Sequence, residues 1–327
     1  MDRGPRLCPR DKEAVFSSSE DRIRTSHSAV AVAGPVVAYY EAWSSARVYA
    51  RRAAESLFSV LFPSDCRICG LPLLNISRLP VCPECLARIH PVEGNVCSIC
   101  GERVLSAYAD ADDDGLRRCP ACRRLDRPYE RAVAYGSYDG GLRDLIHLLK
   151  YNGVRPAARV LGRMLAETWP MLESSFAGET VLVVPVPLFK GKRRQRGFNQ
   201  SELIAGAALK LYSSNGRLQL APGLLLRVRD THSQIGLTGH QRRENLRGAF
   251  AVARAEEVTG REVLLVDDVY TTGTTVSECA KVLRRAGAAK VWVATVARTL
   301  KLASKYVDLA AGSDIRVSEF QRFKVGA

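Results

Sequence analysis

The chain has 327 residues, of which 46% are hydrophobic, and a formal net charge of +14. This length suffices for one substantial hydrophobic core and a smaller unit, and the positive charge predicts anionic partners such as phosphorylated metabolites, nucleic acid or acidic membrane surfaces. No segment approaches the ~20 apolar residues of a membrane-spanning helix, and the N-terminus lacks the pattern of a secretory signal. We therefore expect a cytoplasmic protein, in which disulfides are rare.

The N-terminal part of the chain divides into two predicted segments. Residues 1–42 are rich in Ser, Arg and small residues without a hydrophobic period, which predicts a disordered extension. In residues 43–63, apolar side chains recur every three or four positions from Trp43 to Val60, which predicts a helix. We interpret this helix as packing on the rest of the protein rather than anchoring it to a membrane.

Cysteines dominate residues 64–128, where turn residues replace any hydrophobic period. Such a segment cannot bury enough apolar surface to fold by itself. It contains four Cys-x-x-Cys pairs in an internal repeat: a Cys-x-Ile-Cys-Gly pair and a Cys-Pro-x-Cys pair, and then both again. The eight cysteines are Cys66, Cys69, Cys82, Cys85, Cys97, Cys100, Cys119 and Cys122.

This repeat predicts a double zinc ribbon with two structural zinc ions, because four tetrahedral thiolates saturate one such ion. A redox role suits one isolated pair and fits four repeated pairs poorly. The order of the repeat favours the first four cysteines on one ion and the last four on the other, although an interleaved pairing stays open. Removing the metal is expected to unfold this segment while the rest of the chain stays folded.

Residues 129–300 alternate between strand and helix patterns. Strands are predicted at 131–138, 181–186, 262–266 and 291–296, and helices at about 142–149, 160–165, 199–211 and 276–283. The strand at 181–186 is almost wholly apolar, as in strands buried on both faces. The order predicts an α/β domain with a mostly parallel sheet and helices on both sides, followed by a C-terminal tail at 301–327.

Two carboxylates and a threonine-rich loop follow the strand at 262–266. Asp267 and Asp268 come first, then Thr271, Thr272, Gly273, Thr274 and Thr275, and then a helix. In open α/β sheets, ligands bind at the carboxyl ends of strands, and a helix N-terminus favours an anion. The carboxylates suit sugar hydroxyls or the waters of a metal ion, and their position at a strand end predicts that both are partly exposed.

The stretch Val263–Thr275 resembles the phosphoribosyl pyrophosphate signature of type I phosphoribosyltransferases. With the cysteine pairs ahead of it, the chain is similar to the ComF family, whose members join a double zinc ribbon to such a domain. The resemblance covers roughly residues 58–300. Further matches, in the same order, lie at Leu145–Lys150, Pro185–Pro187, Arg196–Gln200, and from Gln234 through Arg243–Asn245 to Gly248–Phe250.

The resemblance implies that the chain binds phosphoribosyl pyrophosphate with magnesium, an ion held mainly by substrate oxygens and water. It assigns Asp267 and Asp268 to the 2- and 3-hydroxyls of ribose, and Thr271–Thr275 to the 5-phosphate. Leu188, Phe189 and Lys190 would form the loop that meets pyrophosphate. Many relatives carry histidine at the position of Phe189, which is a departure within that loop.

Two functions follow as hypotheses, and both use the cations after the strand at 181–186: Lys190, Lys192, Arg193, Arg194 and Arg196. In the first, a phosphoribosyltransferase, a nitrogen nucleophile attacks C1 of the ribose while cations stabilise the departing pyrophosphate. In the second, the chain is a DNA-uptake accessory protein that works with competence-machinery proteins, binds single-stranded DNA and uses the pocket to sense its ligand. Few aromatic residues interleave with the basic runs, so the sequence predicts no base-stacking platform.

Overall fold

The computed structural model describes residues 64–73, 77–104, 115–212, 216–231 and 239–300. The predicted extension 1–42, helix 43–63 and tail 301–327 lie outside these residues. Contacts divide the chain into two units, Met1–Ala87 and Arg88–Ala327, and each is described by itself. The division falls inside the predicted ribbon at 64–128, and the domain limits stay a prediction.

The described part of the first unit consists of a tight turn and a short helix. The turn spans residues 67–69 and is closed by an antiparallel bridge between Asp65 and Pro72. Helix α1 (Pro83–Ala87) follows Cys82, and a proline suits the first turn of a helix because no intrahelical partner is needed there. Cysteines make up much of the buried surface, as expected for a segment without a hydrophobic period.

The second unit repeats this turn and short helix, the latter as α2 (Pro120–Arg124), and continues into an α/β domain. Its strands are β1 (Ala132–Ser137), β2 (Val181–Pro185), β3 (Leu218–Leu220), β4 (Leu225–Arg227), β5 (Phe250–Val252), β6 (Glu262–Tyr270) and β7 (Lys290–Arg298). Its helices are α3 (Gly140–Asn152), α4 (Ala157–Ala166), α5 (Pro170–Glu173), α6 (Lys190–Arg196), α7 (Gln200–Leu211), α8 (Gly239–Leu246) and α9 (Thr274–Arg285), with a 3-10 helix at Ala255–Glu257.

Five strands form one parallel sheet in the order β1-β7-β6-β2-β3, and β4 pairs with β5 in a separate antiparallel ribbon. The predicted parallel sheet is confirmed. The strand predicted at 262–266 is longer, because Asp267, Val269 and Tyr270 continue the pairing with β7. Strands β3, β4 and β5 have three residues each, too few for a hydrophobic period to appear in the sequence.

Helices cover both faces of the sheet. On one face, Val263 and Leu265 of β6 share a buried cluster with the α9 residues Val276 and Leu283. Helices α4 and α7 pack against each other and against the strands, and because their residues lie outside that cluster, we place them on the other face. Gly162 permits their close approach, since a Cβ there would lie 2.6 Å from Ala207 Cβ.

The second cysteine-rich repeat and the segment just before it cover the outer edge of β1. The amide of Ala132 donates to the carbonyl of Ile99 at 2.7 Å, and the amide of Val92 donates to the carbonyl of Tyr135 at 2.6 Å. These bonds satisfy edge groups that would otherwise face solvent. Within the described part of the chain, no helix is both long and apolar enough to cross a membrane.

Candidate functional site

The two halves of the cysteine repeat adopt the same local structure. In each, the glycine after the second cysteine has a left-handed backbone, with φ of 78° at Gly70 and 70° at Gly101. Its amide donates to the carbonyl of the first cysteine of the pair, at 2.8 Å for Cys66 and 2.9 Å for Cys97. Glycine adopts this conformation at little cost, and the turn aims both thiols of the pair at one point.

The sulfur atoms form two separate groups of four, each with every ligand atom within 4.8 Å of the others: Cys66, Cys69, Cys82 and Cys85 in one, Cys97, Cys100, Cys119 and Cys122 in the other. The Sγ–Sγ distance is 3.8 Å between Cys69 and Cys82 and 3.7 Å between Cys100 and Cys119. Tetrahedral zinc with Zn–S bonds of about 2.3 Å places sulfurs ~3.8 Å apart. The groups therefore fit two structural zinc ions, and the pairing is sequential rather than interleaved.

The threonine loop ends in a helix N-terminus without a side-chain cap. Gly273 occupies the cap position of α9 with a φ of 75°, and the exposed Thr271 and Thr272 precede it. The hydroxyls of Thr272 and Thr274 lie 2.8 Å apart. A helix start of this kind presents amide groups and a positive partial charge to an anion.

The two carboxylates on β6 have different surroundings. Asp268 is only 4% exposed, and its Oδ2 lies 2.7 Å from Nζ of Lys150 on α3. Asp267 is half-buried, and its Oδ1 accepts hydrogen bonds from Ser201 Oγ at 3.0 Å and from the Asp268 amide at 2.9 Å. The expectation that both carboxylates are partly exposed is therefore wrong for Asp268, because β6 continues beyond it and α3 supplies a buried counter-ion.

Burial and a neighbouring charge perturb Asp267. Its pKa is raised from 3.8 to about 7, mainly by desolvation and then by the negative charge of Asp268. The positive charge of Lys150 and the hydrogen bond from Ser201 act in the opposite direction. The pKa of Lys150 is raised as well: burial, the largest single influence, lowers it, but the charge and hydrogen bond of Asp268 together with the charge of Asp267 outweigh that effect. Two adjacent acids with one counter-ion leave a site that attracts a further cation or hydrogen-bond donors.

The predicted pyrophosphate loop is short. Leu188 and Phe189 are half-buried between β2 and α6, and the exposed Lys190 is the first residue of α6. All seven α6 residues are at least partly exposed, so its cations are available to a ligand. The roles of Leu188, Phe189 and Lys190 stay predictions.

One exposed aromatic side chain lies beside the cationic helix. Tyr151, at the end of α3, is 66% exposed, and the Arg196 guanidinium carbon is 5.8 Å from its ring centroid. The His147 ring meets the Tyr151 ring edge-on, with centroids 5.1 Å apart. This aromatic surface was not predicted, because the basic run and Tyr151 are distant in the sequence.

Lys150 and Ser201 are the other site residues without a predicted role. Lys150 falls in the matched stretch Leu145–Lys150, and Ser201 directly follows Arg196–Gln200. The sequence signal for Lys150 was its position as a basic residue near the end of an amphipathic helix pattern. Its partner Asp268 could not be found from the sequence, because the contact depends on how α3 lies over β6.

Family models match both parts of the chain. Residues 218–325 match the model described as "Phosphoribosyl transferase domain", and residues 57–123 match "Double zinc ribbon domain". Together with the parallel sheet and the two cysteine groups, these matches define the class: a zinc-ribbon protein with a phosphoribosyltransferase-type domain.

The named relatives narrow this class. "DNA utilization protein YhgH" of Escherichia coli (strain K12) is 32% identical over 244 residues, covering 73% of this chain and 98% of that protein. "Competence protein F" of Haemophilus influenzae is 30% identical over 229 residues, covering 66% and 96%. "Competence protein ComFC" of Bacillus subtilis is 24% identical over 209 residues, covering 64% and 80%. The chain belongs to the ComF family.

Among solved structures, a hypoxanthine phosphoribosyltransferase from Staphylococcus aureus matches with a TM-score of 0.27 and 14% identity, covering 44% of this chain and 64% of that one.

Proposed function

We propose that the chain binds phosphoribosyl pyrophosphate with magnesium and transfers the phosphoribosyl group to a nitrogen nucleophile. The observation that carries the proposal is the order of groups on β6 and α9. Two adjacent carboxylates near the end of β6 are followed, after Val269 and Tyr270, by a loop in which Gly273 occupies the cap position of α9 without a side-chain cap. Carboxylates accept hydrogen bonds from ribose hydroxyls, and an uncapped helix N-terminus binds phosphate.

The charges around β6 fit a magnesium ion. Asp267 and Asp268 supply oxygen ligands of the kind magnesium prefers, and Lys150 balances one of their two negative charges. Asp267 is the better placed of the two, because Asp268 is engaged by Lys150. A magnesium ion bound to Asp267, directly or through its own waters, would partly neutralise the negative charge of the pyrophosphate.

In the proposed reaction, the nitrogen nucleophile forms a bond to C1 of the ribose as the bond from C1 to the pyrophosphate oxygen breaks. The electron pair of the broken bond leaves on pyrophosphate. Asp267 and Asp268 orient the ribose ring through its hydroxyls, and the threonine loop fixes the 5-phosphate. Lys190 and the other α6 cations stabilise the charge that develops on the leaving group.

Calorimetric titration with phosphoribosyl pyrophosphate and magnesium tests this proposal. Asp267→Asn should weaken binding about 10-fold to 100-fold, because a hydrogen bond to a charged group contributes roughly 1.5–3 kcal/mol. Glu256→Gln, a change at an exposed acid on the 3-10 helix, is the matched control and should leave binding unchanged. No binding by the unmodified protein, or equal affinity of the Asp267→Asn variant, would contradict the proposal.

A screen of nitrogenous acceptors for released pyrophosphate tests the transfer step.

The raised pKa of Asp267 predicts a pH dependence of binding. Its ionised fraction rises steeply from pH 6 to pH 8, because the folded-state pKa is about 7, and the ionised form accepts stronger, charge-assisted hydrogen bonds from hydroxyls. The affinity for phosphoribosyl pyrophosphate should therefore rise more over this range in the unmodified protein than in the Asp267→Asn variant. Since the folded chain holds this proton more tightly than the unfolded one, stability should fall between about pH 4 and pH 7. Identical pH profiles for the two proteins would rule out Asp267 as the titrating group.

A second candidate function is binding of single-stranded DNA; the name of one relative, "DNA utilization protein YhgH", refers to DNA. The observation that favours it is the exposed ring of Tyr151 next to Arg196, beside the other four cations of α6. Proteins that bind single strands combine a cationic track with aromatic rings on which bases stack. The two functions are compatible, since α6 follows the carboxyl end of β2 and the threonine loop follows the carboxyl end of the neighbouring parallel strand β6.

Fluorescence anisotropy across a salt series separates the two functions. Changing Lys192, Arg193 and Arg194 together to glutamine should lower the slope of log affinity against log salt by about 2, at ~0.7 per cation on a single strand. Tyr151→Ala should weaken DNA binding about 5-fold to 100-fold through lost stacking, whereas Tyr151→Phe keeps the ring and should not. Lys190→Gln should impair phosphoribosyl pyrophosphate binding instead. An unchanged slope in the triple variant would exclude α6 as the DNA-binding surface.

A further inference from the structure

A buried arginine touches the second cysteine group. Arg298, the last residue of β7, is 3% exposed. Its Nη1 donates to the carbonyl oxygen of Cys100, and its Nη2 lies 4.0 Å from Cys100 Sγ and 2.7 Å from Glu102 Oε2. The side chain therefore reaches from the parallel sheet to one of the four cysteines that fit the second zinc ion.

Charge explains why an arginine is needed at this position. A zinc ion with four thiolates carries a net charge of −2, and the buried Glu102 adds another negative charge. Such charge is costly inside a protein unless cations balance it. Arg298 is one such cation, since its guanidinium contacts both Cys100 and Glu102. Groups that contact metal ligands in this way orient them and tune metal affinity.

The other side of Arg298 packs on a tyrosine. Tyr270 and Arg298 are directly opposite each other in the pairing of β6 with β7, and the guanidinium carbon lies 4.6 Å from the ring centroid. The Tyr270 hydroxyl is 2.7 Å from the hydroxyl of Tyr129, and both side chains are 3% exposed. Two contacts with buried groups thus hold the ring of Tyr270 in place.

The same ring supports the threonine loop. A Cβ added at Gly273 would overlap the Tyr270 phenol, coming within 2.5 Å of its Cζ. The loop backbone therefore lies directly on the ring at Gly273, the cap residue of α9. Any shift of Tyr270 must move the loop or open a void beneath it, because close-packed interiors transmit displacement.

We propose that Arg298 and Tyr270 are positioning residues that couple the second zinc site to the Thr271–Thr275 loop. Zinc in the site of Cys97, Cys100, Cys119 and Cys122 holds Arg298, Arg298 holds Tyr270, and Tyr270 sets the conformation of the loop. Coupling between the affinities of two sites is reciprocal, so an anion bound in the loop raises the affinity of this site for zinc. The last step rests on the proposed phosphate binding, whereas the effect of zinc on the loop does not.

The first test measures zinc release and hydrogen exchange in the protein without any added ligand. Zinc release to a chromogenic chelator gives two phases, which a Cys66→Ser/Cys69→Ser protein assigns to the two sites. Hydrogen exchange with mass spectrometry follows the amides at the start of α9, beginning with Ser277, whose amide donates to the carbonyl oxygen of Gly273 at 2.9 Å and so reports on the loop (loop exchange). Arg298→Lys keeps the charge and loses the forked geometry. It should lower the zinc affinity of the second site about 10-fold to 100-fold, with faster zinc release, and it should speed loop exchange. Release from the first site should stay unchanged.

The matched control is Arg254→Lys, at an exposed ion pair with Glu257, and it should change neither measurement. Tyr270→Phe keeps the ring and loses the bond to Tyr129, so it should speed loop exchange with a smaller effect on zinc. Faster zinc release in Arg298→Lys with unchanged loop exchange would overturn the coupling. Unchanged release from the second site would overturn the role of Arg298 at the metal.

The reciprocal test adds phosphoribosyl pyrophosphate with excess magnesium to the unmodified protein. Less zinc lost from the second site to the chelator at equilibrium, with the first site as an internal control for chelation by the ligand, supports the coupling. Binding by calorimetry with unchanged zinc retention at equilibrium overturns the coupling between zinc and the bound anion. Absence of binding overturns the proposed function, and the loop-exchange experiment then decides the zinc effect by itself.

Discussion

Cys97→Ser/Cys100→Ser is expected to release one zinc ion and to lower the melting temperature of the α/β domain by on the order of 10 °C. The four cysteines of the second group belong to the same buried cluster as residues of β6, β7 and α9. Structural zinc contributes about 10–16 kcal/mol in small zinc-binding peptides. If zinc at this site stabilises the α/β domain by only about 4 kcal/mol, its loss lowers the melting temperature by about 8–16 °C, at roughly 2–4 °C per kcal/mol.

The internal repeat provides the control for this experiment. Cys66→Ser/Cys69→Ser removes the equivalent ligands from the first site, which lies in the other unit, and should release zinc with little change in the α/β transition. Differential scanning calorimetry with elemental analysis gives both quantities. Equal shifts in the two variants would mean that the second site has no special link to the sheet. From the sequence alone, the α/β domain is expected to stay folded when the metal is removed; the shared buried cluster adds the expectation that it loses stability.

Lys150→Met is expected to destabilise the fold by about 3–5 kcal/mol, which is the cost of leaving one partner of a buried ion pair uncompensated. The side chains of Lys150 and Asp268 are 15% and 6% exposed, so solvent screens their interaction little. In a domain of this size, the change corresponds to about 6–20 °C in melting temperature. Thermal unfolding monitored by circular dichroism provides the measurement.

Two further variants test whether the unpaired carboxylate causes the loss of stability in Lys150→Met. Lys150→Met/Asp268→Asn removes the buried charge along with its partner and should regain a large part of the lost stability. Lys281→Met makes the same change at an ion pair whose lysine is 48% exposed, where the loss should stay below ~1 kcal/mol. A double variant as unstable as Lys150→Met would show that lost packing, rather than an unpaired carboxylate, causes the damage.

Much of the fold could be predicted because its signals are local in the sequence. The central strands β2, β6 and β7 are continuous apolar runs, and the buried face of α9 recurs every three or four residues from Val276 to Leu283. The cysteine spacing indicates metal sites for the same reason, since each Cys-x-x-Cys pair and its glycine turn form one local unit. Helix α6 was missed as a helix because charged residues occupy it without any apolar period.

The sequence by itself thus determined the zinc-binding cysteines, the parallel sheet and the order of carboxylates and threonines before α9. Tertiary structure alone decided which cysteines share an ion, that Lys150 neutralises Asp268, and that Tyr151 lies beside Arg196. It also placed Arg298 against Cys100, 198 residues away along the chain. The physical reason is that these contacts depend on strand order and on how α3 and the second cysteine repeat pack on the sheet. No periodicity or spacing within a short segment specifies such packing.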